Sequence, residues 1–202
     1  MKKNLKTGFL LFSVVVLTAF GAISCSKEPG NTGTANSEPL VKTEPAKPPS
    51  DKGDAVVTGG DLAFMNAAAP GGMATVELGK MALQKSNNAD VKAFAQKMVD
   101  DHTKAGEDLK QLAAQKKVML PPDVMPESKQ LMEKLSKLNG ADFDKEYVKA
   151  MLEAHNKDVT TFESVSKTAG DADVKAFATK TLPVLKTHLE MIKGIADKMG
   201  IK

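Results

Sequence analysis

Residues 89–115 read ADVKAFAQKMVDDHTKAGEDLKQLAAQ. Val91, Phe94, Met98, His102, Ala105, Leu109 and Leu112 recur at steps of three and four, the spacing that puts side chains on one stripe of an α-helix. Charged and polar residues fill most of the positions between them. Asn88 stands just before the run and suits an N-cap, because its side chain can accept from the first free amides. The heptapeptide ADVKAFA returns at Ala172–Ala178, again directly after a short polar turn. One helix–turn–helix unit is thus written twice.

The neighbouring segments carry the same period. Residues 61–86 predict a first helix with Phe64, Met73, Val76 and Leu83 as its apolar stripe, and Pro70-Gly71-Gly72 predicts a break or kink in it. The second helix covers 89–117. Val118–Pro126, VMLPPDVMP, interrupts the pattern. A short helix over 127–138 stops at Asn139-Gly140. Residues 141–169 carry Tyr147, Met151, His155, Val159 and Phe162 on one stripe. Residues 172–199 carry Val174, Phe177, Leu185, His188, Ile192 and Ile195, with Pro183 predicting a kink. No segment alternates as a strand would. The fold class is all-α: a ferritin-like four-helix bundle of two helical hairpins, joined by a long crossover with a short extra helix. The join, about residues 118–140, is long enough to run the length of a bundle.

The N-terminal part gives an address. Lys2, Lys3 and Lys6 precede a 16-residue uncharged run, Gly8–Ile23. That is short for a membrane span, which needs about 20 residues, and suits a secretory signal. Ala22-Ile23-Ser24-Cys25 resembles a lipobox and contains the one cysteine of the chain. Residues 1–24 are expected to be a lipoprotein signal peptide. Residues 25–60 follow as a lipidated Cys25 and a Pro-, Gly- and Ser-rich tether that cannot bury enough apolar surface to fold. Residues 61–202 form the bundle. The membrane is reached through the lipid on Cys25, and Ser26 after it favours the outer membrane by resemblance to enterobacterial sorting. An ordinary signal peptide with an incidental cysteine is the competing reading.

Composition removes several classes of function. The 28 basic residues are all lysine. Arginine, the bidentate reader of phosphates and bases, is missing. Without the three leader lysines, 25 lysines balance 25 acidic residues, so nothing electrostatic favours nucleic acid. There is no phosphate loop, and Cys25 at the anchor is no catalytic nucleophile. Asp100 and Asp101, adjacent on a helix, point about 100° apart and read as a solvated edge. A catalytic site is not expected. No protein partner can be named from the chain.

Four stretches carry a wider likeness: FMNAAAPGGMATVELGKMALQKS, VKAFAQKMVDDHTKAGEDLKQLA, FDKEYVKAMLEAHNKDVTTFE and VKAFATKTLPVLKTHLE. Together they resemble the bacterial family called domain of unknown function 4142. The resemblance covers nearly all of residues 61–195. It implies an exported protein, often labelled an outer-membrane protein, with a ferritin-like bundle and no assigned activity. Relatives place an aspartate before the histidine of the third stretch, where this chain has Ala154.

The three histidines, His102, His155 and His188, fall on the core stripes of three different helices. At about 1.5 Å per residue, counting from the two hairpin turns at opposite ends brings His155 and His188 level with Glu77, with His102 about one turn away. A site for a single transition-metal ion is therefore a candidate, with Glu77, His102, His155 and His188 as its ligands and copper, zinc or iron as its ion. Met98, Met151 and Met191 lie one turn from the histidines and add thioethers that suit copper. The alternative is a core of satisfied histidines, each bonded to Tyr147, Asp101 or a backbone carbonyl. A di-iron oxidase is excluded on pattern: Glu-x-x-His is needed, and Val99 and Leu185 stand three before His102 and His188. The chain is thus expected to be a non-enzymatic envelope lipoprotein displaying a helical bundle, with a metal-binding or metal-sequestering bundle as the alternative.

Overall fold

The computed structural model describes Val57 and residues 59–201. Cys25, the leader and nearly all of the tether lie outside the described residues. Five helices follow one another: α1 Gly59–Lys85, α2 Ala89–Gln115, α3 Pro126–Ser136, α4 Gly140–Thr168 and α5 Ala172–Lys198. None of them is long and apolar enough to cross a membrane.

The repeated heptapeptide marks two equivalent helix starts. Asn88 Oδ1 accepts from the amides of Asp90 and Val91. Asp171 Oδ1 accepts from those of Asp173 and Val174. Each cap satisfies donors that the first helical turn leaves free, and so fixes where α2 and α5 begin.

α1 packs on α2, and α4 on α5; the two hairpins meet through α2 with α5 and α1 with α4. Polar contacts show how they are oriented. The Asp171 amide in the α4–α5 turn donates to Asp61 Oδ2 at the start of α1, at 2.7 Å. Lys116, just past α2, pairs with Asp171 and Asp173. At the other end Lys85 Nζ donates to the carbonyls of Ser136 and Leu138 and to Asn139 Oδ1, and Lys198 pairs with Asp90. The two turns therefore sit at opposite ends. The connection from Lys116 to Asn139 runs from one end to the other, with α3 packed on α1 and α4 along the way.

Two features of α1 differ from the sequence expectation. It runs unbroken through Pro70-Gly71-Gly72. Proline removes the hydrogen bond that the Asn66 carbonyl would accept, but buried Phe64 and Met65 before it and Ala74 and Leu78 after it hold the helix in place by packing. The buried stripe of α1 is also different: Phe64, Met65, Ala74, Thr75, Leu78, Gly79 and Ala82, with Met73, Val76 and Leu83 only half-buried. Small residues face inward because α2 comes very close. A Cβ on Gly79 would stand 3.0 Å from the Ala95 carbonyl oxygen and from Val99 Cγ2.

The core is two apolar clusters stacked along the bundle. One, at the α1–α2 turn end, includes Leu78, Phe94, Met98, Tyr147, Met151 and Ile192. The other, at the α4–α5 turn end, includes Met65, Leu109, Phe162, Phe177 and Leu185. On every long helix a short interval separates the two. On α2, α4 and α5 that interval holds His102, His155 and His188. On α1 it runs from Pro70 to Glu77 and holds Pro70-Gly71-Gly72 together with buried Ala74 and Thr75.

Candidate metal centre

Each histidine lies on the helix stripe that also carries apolar core residues, so folding drives all three imidazoles inward at one level. The ring centroids form a near-equilateral triangle: 5.7 Å for His102–His155 and 5.5 Å for His102–His188 and His155–His188. His155 is fully buried, and His188 and His102 are nearly so. One nitrogen from each ring can be chosen so that all three lie within 4.8 Å of one another. Donors at about 2.0–2.1 Å from one ion stand about 3.3–3.6 Å apart, so binding asks the rings to close by about 1 Å.

The hydrogen bonds determine which nitrogens are free. His155 Nδ1 lies 2.8 Å from the Met151 carbonyl oxygen. A carbonyl can only accept, so Nδ1 carries the proton and Nε2 keeps its lone pair. His188 Nε2 lies 2.7 Å from Asp101 Oδ2, so Nε2 is the donor and Nδ1 keeps the lone pair. Of the four remaining nitrogens, His155 Nε2, His188 Nδ1 and His102 Nε2 are buried and have no hydrogen-bond partner. A histidine that ligates a metal characteristically gives its other N–H to a carboxylate or a backbone carbonyl. Two of the three do so here.

Electrostatics keeps the cluster uncharged. Burial, and then the nearby His155 and His188, press His102 down to about 3. Burial presses His155 down to about 4 against the pull of the Met151 carbonyl. His188 is also lowered by burial, with Asp101 opposing. All three rings are therefore neutral near pH 7, the form that binds a metal. Asp101 is held below its ordinary value: burial works against its ionisation, but hydrogen bonds from Lys97 and His188 outweigh it.

Glu77, the fourth residue of the sequence-derived set, is not part of this cluster. It is exposed and pairs with Lys80 at 2.8 Å. Its level along the bundle is right, since it lines a groove of about 420 Å³ together with His102. Its face is wrong. Leu78 and Gly79 take the buried side of α1, and Glu77, one step back, turns outward. The reading of Asp101 as a solvated edge is also corrected, because its carboxylate bonds His188. Tyr147, weighed as a histidine partner, has a buried hydroxyl with no partner and stacks on Phe143 at 5.8 Å. Met98 and Met151 pack in the apolar cluster beside the site, and Met191 is half-buried against it.

Sequence reading passed over Asp158. It is one helical turn beyond His155 and lines a cavity of about 60 Å³ that His102, His188 and Asp101 also line. Burial raises its carboxyl to about 6, against a smaller pull from Lys157. The i, i+3 spacing from His155 was the available signal.

The fold has solved counterparts. CopM, in its Cu(II)-bound form, superposes with a TM-score of 0.59 at 16% identity, over 68% of this chain and 96% of CopM. CopM has also been solved with Cu(I) and with Ag. A DUF305 fragment from Deinococcus radiodurans superposes with a TM-score of 0.61 at 13% identity, over 70% of this chain and 98% of the fragment. A DUF305 protein from Streptomyces coelicolor gives 0.61 at 14%, over 70% and 93%. These likenesses establish the fold. No curated protein matches the chain. The family model for domain of unknown function 4142 matches residues 46–195, nearly all of the bundle and the histidines within it, and the chain belongs to that family.

Proposed function

We propose that the bundle binds one transition-metal ion, copper foremost, through His102, His155 and His188, and serves to sequester it. The observation that carries this reading is the set of three buried nitrogens without partners, two of them held in the metal-ligating tautomer by Asp101 and the Met151 carbonyl. Leaving buried acceptors unsatisfied costs about 1–3 kcal/mol each. Their convergence is explained by a cation that takes their lone pairs. Imidazole donors suit copper, zinc and iron, and copper stands highest in intrinsic affinity. The like-folded CopM, solved with Cu(I) and Cu(II), supports copper by analogy of fold.

The reading is non-enzymatic, and the two-hairpin arrangement with its lengthwise crossover is the ferritin-like connection without the di-iron carboxylates. Its setting is the cell envelope. The chain is exported and anchored through a lipid on Cys25, with the outer membrane as the favoured site. A DUF305 neighbour described as secreted supports export. A bundle that acts only through protein contacts is less well supported. Among the described residues the exposed large apolar side chains are Met119, Met125 and Val184, too few for a contiguous docking face of several hundred Å².

The test is elemental analysis of the full chain, purified without chelators and supplied in turn with copper, zinc and iron. The comparison is a variant with His102→Ala, His155→Ala and His188→Ala. About one equivalent of one metal in the wild type and none in the variant is expected. Failure to retain any of the three metals would end this reading.

A further inference from the structure

Three helices supply the donors, and the fourth supplies none. Between its contributions to the two apolar clusters α1 carries Pro70-Gly71-Gly72, then buried Ala74 and Thr75, the Thr75 hydroxyl donating to the Gly71 carbonyl, and outward Glu77. Beside the rings lies the cavity of about 60 Å³, lined by His102 and His188, by Gly71 and Gly72 of α1, by Gly106 of α2 and by Asp158 of α4. A cavity needs about 10–15 Å³ of such volume to hold a water, so this one accepts a ligand of a few heavy atoms. A Cβ placed on Gly71, Gly72 or Gly106 would meet nothing within 4 Å. The glycines thus border open space and do not serve a tight helix contact. His102, nine-tenths buried and with Nε2 unpartnered, forms part of the wall.

Closed structural sites surround the ion with protein donors, whereas open sites leave one position for a small molecule. We infer that the three-histidine centre is open, and that its fourth coordination position faces this cavity and takes an exchangeable small ligand, a water in the resting state and a small anion in its place. This inference rests on the metal reading above. It adds that the bound ion keeps one position that a small ligand can enter and leave. Asp101 and Asp158 are the carboxylates of the wall and disfavour anions there by their charge.

Azide is the probe. The full chain, loaded with Cu(II) and checked for one equivalent of copper, is titrated with azide and followed by the azide-to-copper charge-transfer absorption. One azide per copper, saturably bound, is expected. Gly106→Leu and Gly72→Leu fill the cavity and replace glycine by a better helix former, so both should fold with unchanged helical circular dichroism. They should keep their copper and bind azide at least tenfold more weakly. Asp158→Asn should keep its copper and bind azide several-fold more tightly. Copper binding without an azide band, or azide affinity unchanged in all three variants, would overturn the inference. Loss of the metal reading itself would show earlier, as a wild type that retains no copper before azide is added, and would take the inference with it.

Discussion

His188 donates its Nε2 proton to Asp101 Oδ2 at 2.7 Å, and Lys97 Nζ sits 2.9 Å from the same carboxylate oxygen. The carboxylate comes from α2 and the imidazole from α5, so the bond fixes the ring across the helix interface and leaves Nδ1, buried and without a partner, as the nitrogen with the lone pair. Orienting partners of this kind are worth about 10–100-fold in metal affinity. Asp101→Ala should therefore retain one equivalent of copper and bind it at least about tenfold more weakly, as read by competition with a chelator of known affinity. Asp101→Asn keeps an acceptor oxygen and should fall between. Equal affinities in all three proteins would make Asp101 a surface ion pair with no part in the site.

Acid should weaken the metal-free protein in a defined window. His102 and His155 are lowered in the folded chain from 6.5 to about 3 and about 4. In the unfolded chain they protonate near 6.5. Between these values the unfolded state binds more protons, so stability is fully present above pH 6.5 and falls as pH drops toward 4 and then 3. Each histidine adds a slope of up to about 1.4 kcal/mol per pH unit. Denaturant midpoints at pH 7, 6 and 5 should fall in that order at constant m-value. Midpoints that hold or rise would mean that the rings gain protons within the folded bundle. The same competition between protons and metal predicts that copper is released on acidification.

How far the chain could be read depended on how strongly each helix was patterned. On α2, α4 and α5 large apolar residues recur at full helical period. That stripe gave the helices, their faces and the inward direction of His102, His155 and His188, and counting from the turns at Asn88 and Asp171 brought His155 and His188 to one level, with His102 about one turn away. On α1 the inward residues include Ala74, Thr75, Gly79 and Ala82, selected by close approach to α2. The larger Met73, Val76 and Leu83 sit at its margins. The apolar period therefore pointed to the wrong face, and Glu77 went with it. The role of Asp101 was hidden for another reason: its partner is 87 positions away, and only packing brings the two together. Asp158 lies one turn from His155, but that spacing alone does not distinguish a cavity wall from a solvated face.

Asp171 joins two tasks in one buried carboxylate. Oδ1 caps α5 through two amides, and Oδ2 lies 2.7 Å from Lys116 Nζ, tying the α4–α5 turn to the end of α2. Asp171→Ala should cost about 2 kcal/mol or more, since a cap alone is worth about 1 and Lys116 loses its buried partner. Asp171→Asn keeps the cap and should cost less. Burial works against ionisation here, but Lys116 and the cap amides hold the carboxyl below its ordinary 3.8. Its contribution is therefore complete above that value and is lost as pH falls through the lower folded value. This low-pH component should vanish in Asp171→Asn and leave the histidine window above it unchanged. Acid unfolding curves for the two proteins check both parts.

Gly79 tests whether the close approach of α1 to α2 is required. In an open helix Gly→Ala gains about 1 kcal/mol of helix propensity. Here the added Cβ would meet a backbone oxygen and a Val99 methyl at 3.0 Å, and the oxygen belongs to α2 itself and has no rotamer to change. Overpacking of that kind costs about 1–3 kcal/mol. The two effects have opposite sign, and the rigid neighbour decides between them. Gly79→Ala should lower the unfolding midpoint, whereas Gly106→Ala, with nothing within 4 Å of its Cβ, should raise it. If Gly79→Ala instead stabilises, α1 and α2 can part without penalty, and small-residue packing would no longer explain why Met73 and Val76 lie at the margin of α1 and Glu77 lies outside.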